Sequence, residues 1–439
     1  MKLPIVDLRA ADATSRRAAL ARPASEARDT LLADVRVIVD AVRTRGDAAL
    51  REYAARFDGS AGPLAVDAAA VDAAVDALPA PAIAALQRAI DNVRRFHAAQ
   101  IPAPLAIETS PGVLCERVVR ALDSVGLYVP AGSAPLPSAL VMSAVPATLA
   151  GCRRIVLCTP ARNGVVDNAI LAAARLCGIS EIFAVGGAQA IAAMAYGTET
   201  IPKVDKIVGP GSAWVTAAKQ IVAADPAGAA LDLPAGPSEV LVIADAAANA
   251  EFVAADLLAQ AEHDVLAQAI LVTPDATLAR AVQVATERQA ARLSRRDILE
   301  QSLQRSRILL VADLDSAFAL SNEYAPEHLI LQIESARSRL ADVRAAGSVF
   351  LGAWSPESIG DYCSGTNHVL PTYGYARAYS GLSLTDFQRR ITVQELTPAG
   401  LQDLGPVATT LAGLEGLDAH AAAVTVRLNA IAGRTGAGS

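Results

Sequence analysis

The stretch DLLAQAEHDVLAQAIL, residues 256–271, sets Gln260 and His263 three residues apart in an Ala/Leu run. On a helix this spacing puts an amide oxygen and an imidazole nitrogen on one face, with Asp256 one turn upstream. Such a pair is part of a metal site when one or two more ligands and room for substrate are nearby. Asp361, in SIGDYCSG, and His420, in EGLDAH, are the candidates. Two nitrogens and two oxygens suit zinc and tolerate manganese or cobalt. The bland alternative is a solvated helix face, with Asp256 either supporting a ligand or simply hydrated.

The chain has five histidines. His97, in the charged helical stretch RRFHAAQ, reads as a surface residue. His328 follows Glu327 in YAPEHLIL, at a strand entrance. Histidine is the natural base near neutral pH, and a glutamate beside it can activate water. The dipeptide equally fits a surface charge at the start of a strand. His368 lies in SGTNHVLPTYGYAR, a loop dense in Gly, Ser, Thr, Asn and Tyr, and Ser238 lies in DLPAGPSEV. Loops at strand ends commonly carry binding groups. The alternatives are a long turn held by its own hydrogen bonds and a serine that caps the turn.

The elements that would hold these groups alternate. RRIVLCTP (153–160), EIFAVGG (181–187), DKIVGPG (205–211) and SEVLVIAD (238–245) are β-rich runs separated by helical stretches. AQAILVTP (267–274), RILLVAD (307–313), HLILQI (328–333) and GSVFLG (347–352) form a second set. This βαβ order predicts an α/β protein with two Rossmann-like parallel sheets. The GxGxxG fingerprint is missing; VGGAQA and VGPGSA are glycine-rich strand-to-helix turns that can present N–H groups to an anion, or be plain tight connections. Residues 24–105 read as mostly helical, and helical N- and C-terminal extensions flank the sheets. The expected domains are 1–23 as an N-terminal extension, 24–120 with 238–380 carrying the metal and catalytic residues, 121–237 on the nucleotide side, and 381–439 as a helical tail.

Composition excludes several classes. With 439 residues, 53% hydrophobic and 19% charged, the chain is globular rather than disordered. A net charge of -7 gives no reason to expect nucleic acid or an anionic membrane. The longest uncharged run, 124–152, contains Pro130, Pro135, Pro137 and Pro146 and makes a poor membrane helix. The first residues reach Asp7, Arg9 and Asp12 too soon for a secretory signal. Five scattered cysteines with no CxxC suit reduced thiols, and a cytoplasmic protein is expected.

Taken together, GLYVPAG (126–132), PAGPSEVLVIAD (234–245), LLAQAEHD (257–264), NEYAPEHLIL (322–331), GDYCSGTNHVLPTYGYAR (360–377), DFQRRITVQEL (386–396) and GLDAHAAAVTVR (416–427) closely resemble the histidinol dehydrogenase family. The resemblance implies an NAD-linked, two-step oxidation of L-histidinol to L-histidine. It implies one zinc ion per subunit on Gln260, His263, Asp361 and His420, with His328 as general base and Glu327 as water activator. Ser238, His368 and Glu415 would contact substrate together with the zinc ligands and His328. Tyr128, Gln189 and Ser212 would meet NAD. Glu415 and His420 would come from the other subunit of a homodimer. One departure stands out: the family usually has Asn after the GPG turn, where this chain has Ser212, which is shorter but keeps a donor and an acceptor. Trp214 likewise replaces a more usual Tyr. Rival readings are a dehydrogenase of another small hydroxy compound, a metal-dependent hydrolase that uses Glu327 without NAD, and a non-catalytic binding protein.

Overall fold

In a computed structural model, residues 2–23, 28–131, 134–234 and 236–436 are described. Gly132 and Ala235, within two of the quoted motifs, lie outside them, as do 24–27 and the last three residues of the GRTGAGS end. The chain forms two compact units, 1–100 with 122–387 and 101–121 with 388–439.

The first unit holds two sheets, both wholly parallel. The six-stranded sheet runs in the order Ile5–Asp7, Arg307–Leu310, Gln268–Thr273, Glu239–Ala244, His328–Gln332, Ser348–Leu351. Its central strands are buried along their whole length, which is why they read as continuous apolar runs rather than alternating ones. The five-stranded sheet runs Glu181–Ala184, Arg154–Thr159, Ser124–Tyr128, Lys206–Val208, Ala230–Leu231. The chain moves outward from Ser124–Tyr128 to one edge, then returns to its other side with Lys206–Val208. That reversal is a topological switch point, where parallel sheets open a crevice.

Several expectations need correction. The helices of 28–98 pack on the five-stranded sheet and its helices as well as on 238–380: Ile38, Val39 and Val42 share a core with Ile191 and Val222, Ile90 and Val93 share one with Leu140, Val141 and Val369, and Asn92 Nδ2 donates to the Cys363 carbonyl oxygen at 2.8 Å. An apolar stripe marks a helix as one that packs, but carries no address for its partner sheet. His97 is not a surface residue; it is fully buried, 2.9 Å from the Val93 carbonyl oxygen through Nδ1. The expected N-terminal extension contributes Ile5–Asp7 as an edge strand of the six-stranded sheet, and its Leu8, Ala19 and Leu20 pack in the core against that sheet. Within 124–152, a strand (Ser124–Tyr128) leads to a helix (Pro137–Ala150), and the helix is buried through most of its length. Among the described residues no single helix is long and apolar enough to cross a membrane.

The second unit is an antiparallel sheet, Gln388–Leu396, Val113–Ala121, Leu105–Ser110, with helices Pro398–Leu414 and Asp418–Gly436. The expected helical tail therefore begins with a strand. Arg390, Ile391, Thr392, Val393 and Gln394 alternate with a two-residue period and include β-branched side chains, both of which favour a pleated strand.

Candidate active site

His328 opens strand His328–Gln332, beside Val240 and Ser348 of its neighbours. The chain reaches it from helix Leu314–Tyr324 through Ala325, whose φ of 53° turns the backbone sharply, and Pro326. Glu327 and His328 are both buried, at 6% and 4% exposure, so the surface-charge reading of Glu327 fails. Gly347 allows this turn to approach: a Cβ there would lie 2.6 Å from the Glu327 carbonyl oxygen.

Three carboxyl groups surround the imidazole. His328 Nδ1 lies 3.7 Å from Glu327 and 3.8 Å from Glu357, and Nε2 lies 3.5 Å from Asp361. At 3.5 Å the last is an ion-pair contact rather than a well-formed hydrogen bond. Burial pushes the Glu327 and Glu357 carboxyls up to about 8, against the pull of His328. Burial also opposes charge on His328, yet Glu357, Glu327 and Asp361 together raise it well above the ordinary imidazole range. Asp361 is held below its ordinary value because, despite burial, it faces the His328, His368 and His263 rings. Near neutral pH Glu327 and Glu357 therefore hold protons, and Asp361 is the carboxylate that faces the imidazolium.

Glu357 and Asp361 sit one turn apart on helix Glu357–Tyr362, which packs on helix Ala250–Ala261. The latter helix ends at Ala261, so His263 lies just beyond it rather than on its face. A tightened last turn, with the His263 N–H donating to the Gln260 carbonyl oxygen at 3.2 Å, brings it round. Candidate ligand atoms of His263, Glu357 and Asp361 all lie within 4.8 Å of one another. Gln260 is fully buried, and neither of its amide atoms has a hydrogen-bond partner among the described residues. An orphaned buried amide is costly unless something absent satisfies it. The donor types and the orphaned amide both fit a divalent cation. Asp256 is not solvated: it is 5% exposed, accepts from Gln332 Nε2 at 3.1 Å, and burial pushes it up to about 6.

A cleft of about 570 Å³ joins this centre to the other sheet. Ser238, His263, Glu327 and His368 line one part, and Gly209, Pro210, Gly211 and Ser212 another. Crowding lowers the pKa of His263, although solvent reaches it, and of His368, whose Nδ1 lies 2.6 Å from the Asp361 carbonyl oxygen. The glycine turn follows the switch-point strand Lys206–Val208. Gly209 has φ 124°, and its N–H donates to Asp232 at 2.8 Å; Lys219 pairs with Asp232 and donates to the Gly209 carbonyl oxygen at 3.0 Å. Ser212 caps helix Ala213–Ala223 without a side-chain bond and is exposed, so its hydroxyl and the helix N-terminus are free to meet an anion. Tyr128 and Gln189 are buried beside the second glycine turn, where the Gly187 N–H donates to Tyr128 Oη at 3.0 Å. Tyr128, Gly187 and Ser212 border a cavity of about 310 Å³ with Phe57 and Asp58. Glu415 and His420 belong to the second unit: Glu415 caps helix Pro398–Leu414, His420 lies on helix Asp418–Gly436, and both are exposed.

The residue missed in the sequence is Glu357. Its spacing from Asp361, i to i+4 in PESIGDYC, was a readable sign that two acids share a helical face. Asp58 carried no such sign; only the fold brings it to Tyr128.

A parallel sheet with glycine turns at its switch point, opening on a buried imidazole–carboxylate centre, defines an α/β enzyme with acid–base chemistry. Comparison with known proteins makes the class specific. Residues 20–428 match the family model of histidinol dehydrogenase. The chain is 54% identical over 436 residues to histidinol dehydrogenase of Xanthomonas axonopodis pv. citri, covering 98% of this chain and 100% of that one. It is 52% identical over 428 residues to that of Salmonella typhimurium, covering 97% and 98%. The crystal structure of histidinol dehydrogenase from Elizabethkingia anophelis superposes with a TM-score of 0.92 at 44% identity, covering 98% of each chain. The chain belongs to the histidinol dehydrogenase family. It is an NAD-dependent oxidoreductase of that type, serving the last steps of histidine biosynthesis.

Proposed function

We propose that the enzyme oxidises L-histidinol twice at one carbon, through bound L-histidinal to L-histidine, with zinc and two NAD per turnover. The observation that carries this reading is the buried Glu327–His328 pair, whose Glu327 lines the same cleft as the glycine turn 209–212. His328, as base, takes the hydroxyl proton while hydride leaves the carbinol carbon for NAD, giving aldehyde and NADH. Glu327 then takes a proton from water as its oxygen attacks the aldehyde carbon, and His328 returns its proton to the former carbonyl oxygen, giving the hydrate and restoring the neutral base. His328 removes the hydroxyl proton of the resulting hydrate as the second hydride leaves, giving the carboxylic acid and a second NADH.

Zinc would be held by Gln260, His263 and Asp361 of one chain and His420 of a second copy. When bound, it supplies a Lewis-acidic anchor for the substrate's amine and imidazole. Ser238, His368 and Glu415 complete the substrate contacts. Tyr128, Gln189 and Ser212 hold NAD, with its pyrophosphate at the helix N-termini. The exposure of His420 and Glu415, with apolar Leu411, Leu414 and Leu417 exposed around them, supports a homodimer in which the tail is covered by a partner. All five cysteines are free, in keeping with a cytoplasmic setting.

The test is a pair of variants. His328→Ala should lose about 10²- to 10⁴-fold in kcat, the usual range for removing a general base, while still binding zinc and histidinol. Glu327→Gln should keep the first NADH and slow the second. Full turnover in His328→Ala would remove it as the base.

A further inference from the structure

Glu239 opens strand Glu239–Ala244 and is 1% exposed. Its backbone meets both members of the catalytic pair. The Glu239 N–H donates to Glu327 Oε2 at 2.9 Å, and its carbonyl oxygen lies 3.4 Å from His328 Nδ1. A carbonyl only accepts, so a proton on Nδ1 can donate to it and orient the ring.

The Glu239 side chain is fixed by a residue from the far N-terminal part of the chain. Arg22 Nε donates to Glu239 Oε2 at 2.6 Å and Nη2 to Oε1 at 2.8 Å, a bidentate pair. Tyr324 Oη lies 3.0 Å from Oε2. Arg22 also donates to the Tyr324 carbonyl oxygen at 2.7 Å, and its guanidinium lies 3.8 Å from the centre of the Tyr324 ring. Tyr324 ends the helix that leads, through strained Ala325, into Glu327. One guanidinium therefore ties together the two segments that carry the pair: the strand edge at Glu239 and the turn after Tyr324. Stability alone does not call for this arrangement, since a buried ion pair is often matched or bettered by apolar side chains of similar volume.

We propose that Arg22 is a positioning residue for the reaction: through Glu239 and Tyr324 it sets the orientation of Glu327 and His328 without touching substrate. The inference rests on the reading of Glu327 and His328 as the catalytic pair. It accounts for an ion pair behind the cleft residue Ser238, and for a charged residue of the N-terminal segment reaching into the six-stranded sheet. A carboxylate and an imidazole released from their backbone contacts would rotate away from the reacting atoms.

The experiment compares Arg22→Gln, Arg22→Lys and the double variant Arg22→Met with Glu239→Gln against His328→Ala, reading kcat, KM for histidinol, zinc stoichiometry and thermal unfolding. Arg22→Gln should lose about 10- to 100-fold in kcat, the scale of a 1 Å misplacement, with KM and bound zinc changed by less than about two-fold. Arg22→Lys, which keeps the charge but not the fork, should recover part of that loss. If Arg22→Gln fails to fold because Glu239 is left unpaired, the double variant decides, since it buries no unpaired charge: it should fold, bind zinc and still turn over slowly. Wild-type kcat in the double variant, or a kcat that falls only in step with zinc content, would overturn the proposal. Slow His328→Ala with fast Arg22→Gln would overturn it alone; fast His328→Ala would overturn the catalytic reading beneath it.

Discussion

At the residue scale, the site is a problem of too many acids in too little water. Glu327 and Glu357 are pushed up to about 8 by burial, so near neutral pH they keep their protons until a cation arrives. Zinc added to chelator-stripped enzyme at pH 7 should therefore release about one to two protons. Calorimetry in buffers of different ionisation heat measures this, and a release of zero would contradict the electrostatics described. Asp256 gives a separate test on stability. Its folded pKa of about 6 lies above the unassisted value of 3.8, so the folded state binds the proton more tightly. Its contribution is favourable below the unfolded value and is lost as pH rises through about 6. Asp256→Asn should raise stability by roughly 1–3 kcal/mol at pH 8 and leave it nearly unchanged at pH 4. Urea unfolding at the two pH values checks it; equal shifts at both would contradict the assignment. The sequence made much of this scale legible, because Gln260, His263, Glu327, His328 and Asp361 are chemically unusual in apolar surroundings. It misplaced His97, whose neighbours Arg94, Arg95 and Phe96 hide a buried ring among charges.

At the element scale, strands and turns do the positioning. The βαβ alternation was readable because most of the buried parallel strands are short apolar runs closed by Gly, Pro or Asp. The antiparallel strand Gln388–Leu396 was overlooked despite its two-residue alternation, because most of its nine residues are charged or polar and two genuine helices follow it. The glycine turn at 209 was visible as a motif, but its brace was not: Lys219 and Asp232 are brought together only by the fold. Gly209 has φ 124°, and a Cβ there would run into the Tyr128 carbonyl oxygen. Gly209→Ala should raise KM for NAD about 10-fold through backbone strain at the turn. Zinc content should not change. An unchanged KM for NAD would show that this turn does not hold the cofactor.

At the scale of the whole molecule, the two sheets play different parts. The five-stranded sheet offers its carboxyl edge and switch point, as parallel sheets commonly do. The six-stranded sheet offers its amino edge, where Ser238, Glu327 and His328 gather. That contrast could not be read from strand order, because edge use depends on which sheet ends face each other. A site shared between copies predicts complementation. His328→Ala and His420→Ala homodimers should each be inactive, and co-expression should restore about a quarter of wild-type activity through mixed dimers with one intact site. No recovery would place His420 and His328 in the same chain's site. The most direct test of the account is the number of NADH formed per histidinol consumed, before and after chelation. Two NADH, lost with a chelator and restored by zinc, is the predicted result; one NADH, or two that survive metal removal, would contradict it.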